Sequence, residues 1–108
     1  MLAPSDHQPT EDTVRQTSLQ FHRDFELGQA EELATFQALQ EKIASEISYL
    51  LQNNPERLLN LMYRLDIDEN KFRFVIQNGL EENVAQQLAE LVLEREMQKV
   101  YWRNKYRE

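Results

Sequence analysis

The clearest pattern along the chain is a stripe of apolar residues from about Glu31 to Gln52. The apolar positions recur at steps of three and four residues, while the charged positions fall mostly on the other side. The stripe consists of Leu33, Phe36, Leu39, Ile43, Ile47, Leu50 and Leu51. This spacing predicts an amphipathic helix with one face on a hydrophobic core.

Three further helices are expected after this one. Asn54 is a good N-cap, Pro55 fits a first helical turn, and Gly79 suits the position after a helix end. The expected spans are about 55–65, 69–78 and 81–104. With only 2 Gly and 3 Pro in 108 residues, the chain lacks the turns that a β-sandwich or barrel requires.

The N-terminal part of the chain is less regular. Residues 1–16 are polar and hold two of the three prolines, which predicts a flexible arm. In residues 17–29, Phe21 and Phe25 have helical spacing, which predicts a short helix. The predicted fold is therefore all-α: after the arm, residues 17–108 form a single small bundle of four main helices with a short extra N-terminal helix.

Asp66, Asp68 and Asn70 alternate like the first three ligands of an EF-hand calcium loop. Such a loop needs Gly at its sixth position and a bidentate Glu at its twelfth, where this chain has Lys71 and Gln77. The acids are better explained by helix capping, either by Asp68 or, two residues earlier, by Asp66. We predict no calcium site here.

Candidate catalytic chemistry is sparse. The absence of Cys excludes disulfides, thiolate metal sites and thiol nucleophiles. There is no G-x-S-x-G elbow, glycine-rich phosphate loop or H-E-x-x-H helix. His22 and Glu26 offer two ligands where zinc needs three or four, so His22 is expected on an exposed helix face. The sequence predicts no enzymatic activity, no cofactor and no metal site.

The last predicted helix carries two apolar stripes on nearly opposite sides. One is expected to face the domain's own helices, and the helix, about 36 Å long, is expected to reach beyond them. The second stripe needs another cover. Its interface candidates are Leu93, Met97, Val100 and Tyr101. Two covers fit: another protein molecule, or the N-terminal segment that holds Phe21 and Phe25.

Charge is distributed unevenly along the chain. The formal net charge is −7, yet residues 95–108 hold five basic and two acidic side chains. An acidic body disfavours a broad nucleic-acid surface, whereas a basic, aromatic tail could bind single strands by charge and stacking. The residues of this nucleic-acid alternative are Lys99, Trp102, Arg103, Lys105 and Arg107.

The runs LLNLMYRLDIDENKF and AELVLEREMQKVYWRNKY resemble small bacterial all-helical proteins of unknown function. In those proteins a Leu-Tyr-Arg-Leu-Asp-Ile-Asp-Glu type of core precedes a helix with a basic end. The resemblance covers residues 46–105 and implies a bacterial cytoplasmic protein, without any catalytic residues.

The absence of long apolar runs and of a signal peptide also favours a cytoplasmic protein without membrane contact. The leading functional prediction is a non-enzymatic interaction module, homodimeric or partner-bound through its last helix.

Overall fold

The computed structural model describes residues 10–28 and 31–107, which form five α-helices and no strand. The helices are α1 (Glu11–Asp24), α2 (Phe36–Asn53), α3 (Pro55–Arg64), α4 (Glu69–Asn78) and α5 (Glu81–Arg107). The predicted all-α bundle with an extra N-terminal helix is confirmed. Within the described ranges, no helix is both long enough and apolar enough to cross a bilayer.

α1 begins earlier than the sequence pattern predicted. The Thr10 side chain accepts a hydrogen bond from the Thr13 backbone N–H at 3.1 Å and so caps the helix. Val14, one turn on, is buried. The prediction of a flexible arm is therefore wrong for residues 11–16, because a cap and one apolar residue per turn suffice when the helix packs on a core. Residues 1–9 lie outside the described residues.

α2 begins at Phe36 rather than at about Glu31. Thr35 is its N-cap, with the side chain accepting from the Ala38 N–H at 3.1 Å. Leu33, assigned by its spacing to the helical stripe, lies half-buried in the loop before α2. The Ser18 hydroxyl accepts its N–H at 3.2 Å, which ties this loop to α1.

Asp66 and Asp68 belong to the ends of two different helices. Asp68 caps α4, as predicted, accepting two backbone N–H groups of its first turn at 2.8 and 3.3 Å. Asp66 follows α3 in the left-handed conformation, with φ 62°. Its N–H donates to Tyr63 O, and the next N–H, of Ile67, donates to Met62 O. This is a Schellman ending, so the alternative in which Asp66 caps α4 is wrong.

Two arginines bind the C-terminal ends of other helices. Arg95 on α5 donates from Nε to Leu65 O at 2.8 Å, just after α3. Arg57 on α3 donates from Nη2 to Phe25 O at 3.1 Å, just after α1. α1 also has a Schellman ending, in which Glu26 has φ 54°. Both arginines satisfy carbonyls that a helix leaves without a partner and complement its negative end.

α4 is the most exposed helix and has no buried residue. Phe72 and Val75 pack partly on the core, whereas Ile76 is 44% exposed. Gly79 follows the helix as predicted, with φ −74°. A Cβ on Gly79 would lie 2.7 Å from Val75 O, so the close approach of the chain there requires glycine.

The core lies along α5, against which α1, α2 and α4 pack. Its large and fully buried apolar side chains are Phe21, Leu39, Ile43, Ile47, Leu58, Leu61, Leu88, Val92 and Val100. α5 is about 40 Å long at 1.5 Å per residue, close to the longest dimension of the molecule, 39 Å. The C-terminal end of α5 does not reach beyond the other helices, because α1 runs antiparallel beside it.

Candidate functional site

The structure divides the second apolar stripe of α5 between the core and the surface. Leu93 is 3% exposed and Val100 is fully buried. Leu93 belongs to the same buried cluster as Phe21 and Phe25, and α1 packs on α5. The prediction of Val100 as an interface residue is therefore wrong, because a side chain without accessible surface cannot contact a partner.

Met97 and Tyr101, the other two interface candidates, remain accessible and line a groove between the start of α2 and α5. Its volume is about 470 Å³. We call it the α2/α5 groove. The lining residues are Phe36, Gln40, Glu90, Leu93, Glu94, Met97, Gln98 and Tyr101.

The α2/α5 groove has a mostly apolar lining that includes two acidic side chains. Phe36 and Tyr101 are 41% and 56% exposed, large fractions for aromatic side chains, and Met97 is half-buried between them. Glu90 and Glu94 are exposed on α5, and neither takes part in an ion pair within the described residues. Such a groove suits an apolar side chain flanked by a basic group.

The basic residues near the end of α5 do not form one patch. Lys99 Nζ lies 3.1 Å from Asp24 Oδ2, and Arg103 Nη1 lies 2.6 Å from Gln20 Oε1. Both side chains are therefore engaged with α1. Of the remaining candidates, Lys105 and Trp102 are exposed, whereas the side chain of Arg107 lies outside the described part of the chain.

Three aromatic side chains at the end of α5 face the solvent together. The Trp102 ring stacks on Tyr106, with centroids 5.9 Å apart and an interplanar angle of 27°. Tyr101 meets Trp102 edge-on at 5.2 Å, and Lys105 Nζ lies 6.0 Å from the centroid of the Tyr101 ring. These rings form a platform on which a base or a side chain could stack.

A buried cluster of charged groups, which sequence analysis missed, joins α1 to α5. Glu96 is fully buried, and its Oε1 lies 3.7 Å from Lys99 Nζ. Neither oxygen of Glu96 accepts a hydrogen bond from a donor in the described residues. An ionised Glu96 would therefore be a buried charge without a hydrogen bond, beside the Lys99 ammonium and the Asp24 carboxylate. We call Asp24, Glu96 and Lys99 the acid–lysine cluster.

The two acids of this cluster titrate in opposite directions. Burial, reinforced by the neighbouring Asp24 carboxylate, raises the pKa of Glu96 from 4.5 to about 8. Burial also acts to raise the pKa of Asp24, but hydrogen bonds from Gln20 and Lys99 and the charge of Lys99 outweigh it and lower that pKa. At neutral pH Glu96 is therefore mostly protonated, whereas Asp24 is ionised.

His22 is buried, 1% exposed, so its predicted place on an exposed helix face is wrong. The reason is that α1 turns the face bearing Phe21, His22 and Phe25 toward the core. Its Nδ1 lies 2.7 Å from Ser18 O and its Nε2 lies 3.5 Å from Glu31 Oε1. Among the described residues, no group of three or more His, Cys, Asp or Glu side chains could hold a metal ion.

No protein-family model, curated protein or solved structure matches this chain. The resemblance to small bacterial helical proteins therefore stays a prediction. The α2/α5 groove is the candidate functional site.

Proposed function

We propose that this chain is a small non-enzymatic protein–protein interaction module that binds a second copy or another protein through the α2/α5 groove. The observation that supports the proposal is that Phe36, Met97 and Tyr101 are all accessible in the mostly apolar lining of one groove. Aromatic residues and Met are enriched at the centres of protein interfaces, and contiguous exposed apolar patches often mark such sites.

The groove has the features of a contact site rather than of a catalytic one. Its polar groups are two carboxylates, two amides and the Tyr101 hydroxyl, and it is open to solvent beside exposed Phe36. A binding groove of this kind gains affinity by removing apolar surface from water. Its acidic side chains select a partner that carries positive charge.

The nucleic-acid alternative is supported by one observation, the exposed platform of Tyr101, Trp102 and Tyr106 with Lys105 beside it. We rank it second for two reasons. Lys99 and Arg103 are engaged with α1, and the formal net charge is −7, so few cations remain to neutralise phosphates.

Met97→Glu is the substitution that tests the proposed function. A carboxylate buried in an apolar contact costs several kcal/mol, so this variant should lose its partner while remaining folded. Tyr49→Glu is the matched control, because Tyr49 is 62% exposed on α2 and does not line the groove. Size exclusion with light scattering, and recovery of proteins from native lysate, should show association for wild type and Tyr49→Glu only.

Two results would contradict the proposed function. One is a wild-type chain that is monomeric at high micromolar concentration and retains no protein from lysate. The other is a single-stranded RNA that binds wild type and Met97→Glu equally at physiological salt and is lost in Trp102→Ala with Lys105→Ala. The second result would establish the nucleic-acid alternative instead.

A further inference from the structure

One face of α5 is left largely uncovered by the protein's own helices. At 100° per residue, the positions of this face lie within about 100° of one another. They are Glu90, Glu94, Met97, Gln98, Tyr101 and Lys105, all exposed except half-buried Met97. Steps of four, three and four residues from Glu90 to Tyr101 place these positions on one side of the helix, along which a second helix can pack.

The charges on this face are ordered from acid to base. Glu90 and Glu94 occupy its N-terminal half, Lys105 lies at its C-terminal end, and Met97 with Tyr101 lies between them. Within the described residues, neither the acids nor Lys105 form an ion pair. A second copy running in the opposite direction would place its basic end on the acidic end of the first, whereas a parallel copy would oppose like charges.

We propose that two copies of this chain pair through α5 in antiparallel orientation, with Met97 and Gln98 at the two-fold axis and Glu90 facing Lys105 of the other copy. The inference rests on the proposed function and names its partner as a second copy. The register follows from the sequence: Glu90 and Lys105 are equally far from the midpoint between residues 97 and 98. The contact is therefore self-complementary, as a two-fold interface requires.

The same register gives the other groove residues a partner. Glu94 lies opposite Tyr101 of the second copy, whose hydroxyl can donate to the carboxylate in a charge-assisted hydrogen bond. Phe36, beside the groove on α2, extends the apolar contact beyond α5. A face from residue 90 to 105 is about 22 Å long, so the interface is at the small end of specific interfaces and the dimer should be weak.

A charge exchange tests the register. Lys105→Glu alone, or Glu90→Lys alone, should raise the dissociation constant of the dimer about tenfold, since both symmetric pairs become repulsive. The double variant should return it to near the wild-type value. The two positions are about 22 Å apart within one chain, so this rescue requires contact between copies. Lys71→Glu, at an exposed position on α4, is the control and should leave association unchanged.

Single cysteines test the orientation, and the chain is suited to this because it has none of its own. A disulfide requires Cα atoms within about 7 Å. Under oxidised glutathione, Gln98→Cys should form a covalent dimer because position 98 lies near the two-fold axis. Glu90→Cys should not, because its two copies would be about 22 Å apart along the helices.

The outcomes separate this inference from the proposed function. Efficient cross-linking of Glu90→Cys, or a charge exchange without rescue, overturns the antiparallel pair even if Met97→Glu still abolishes association. A wild-type chain that stays monomeric at high micromolar concentration, yet retains another protein through Met97, also overturns the pair and leaves the proposed function standing. Cross-linking at position 98 but not at position 90, together with rescue by the double variant, supports the antiparallel pair.

Discussion

Lys99 Nζ lies 3.1 Å from Asp24 Oδ2, and this contact joins the C-terminal half of α5 to the end of α1. The same ammonium lies 3.7 Å from Oε1 of the buried Glu96, so one cation faces two acids. One of the acids must keep its proton for the charges to balance. Lys99, a candidate residue of the nucleic-acid alternative, therefore contacts α1.

The first prediction concerns the pH dependence of stability. The pKa of Glu96 is raised in the folded protein from 4.5 to about 8. Between these pH values the folded chain therefore keeps a proton on Glu96, whereas the unfolded chain has released it. The free energy of unfolding should fall as pH rises through this window, by up to about 1.4 kcal/mol per pH unit from Glu96. The lowered pKa of Asp24 acts in the opposite sense, but only in more acidic solution.

Glu96→Gln should remove this contribution, since the amide keeps the size of the side chain without its titration. Urea unfolding at several pH values between about 5 and 9 measures the effect. Glu94→Gln, exposed on the same helix, is the control and should retain the wild-type pH profile. An unchanged profile in Glu96→Gln would show that Glu96 is ionised throughout and that Lys99 balances it.

The second prediction separates the two lysines near the end of α5. Lys99→Met removes the only cation within 4 Å of Asp24 among the described residues and should lower the free energy of unfolding by about 1 to 2 kcal/mol. Lys105→Met, at an exposed position, should change it by less than about 0.5 kcal/mol. Equal effects in thermal or urea unfolding would mean that the contact between Lys99 and Asp24 adds nothing to stability.

The third prediction concerns the two acids at the corner between α3 and α4. Asp68→Ala should lose about 1 kcal/mol, because the two N–H groups it caps lose their acceptor. Asp66→Gly should gain up to about 1 kcal/mol, because Asp66 has φ 62° and glycine adopts this conformation without a steric cost. A loss of stability in Asp66→Gly would show that its ion pair with Arg95, 3.8 Å apart, outweighs the backbone strain.

The sequence predicted those parts of the fold that depend on local signals. The predicted bounds of α4, 69–78, agree with the structure, because Asp68 marks the start of the helix and Gly79 marks its end. The start of α1 was missed, because residues 1–16 carry few apolar side chains and the helix there depends on packing against α5. Helical stability of this kind comes from tertiary contact, which periodicity does not report.

The candidate site could be predicted only in part. Met97 and Tyr101 were identified from the second stripe of α5, but the groove also needs Phe36, about sixty residues earlier, which the spacing assigned to a buried face. Glu96 was missed for the opposite reason. An acid in a highly charged helix is usually solvated, and only the position of α1 makes this one buried.

The central claim, contact between two copies through the α2/α5 groove, is tested most directly by the concentration dependence of assigned backbone amide NMR spectra. On dilution from high to low micromolar concentration, the shifts should change around Phe36 and along residues 90–105. The amides near Tyr49 and Tyr63, exposed aromatic residues outside the groove, should stay constant. Spectra that do not depend on concentration, or shifts that centre on Tyr49 and Tyr63, would contradict the claim.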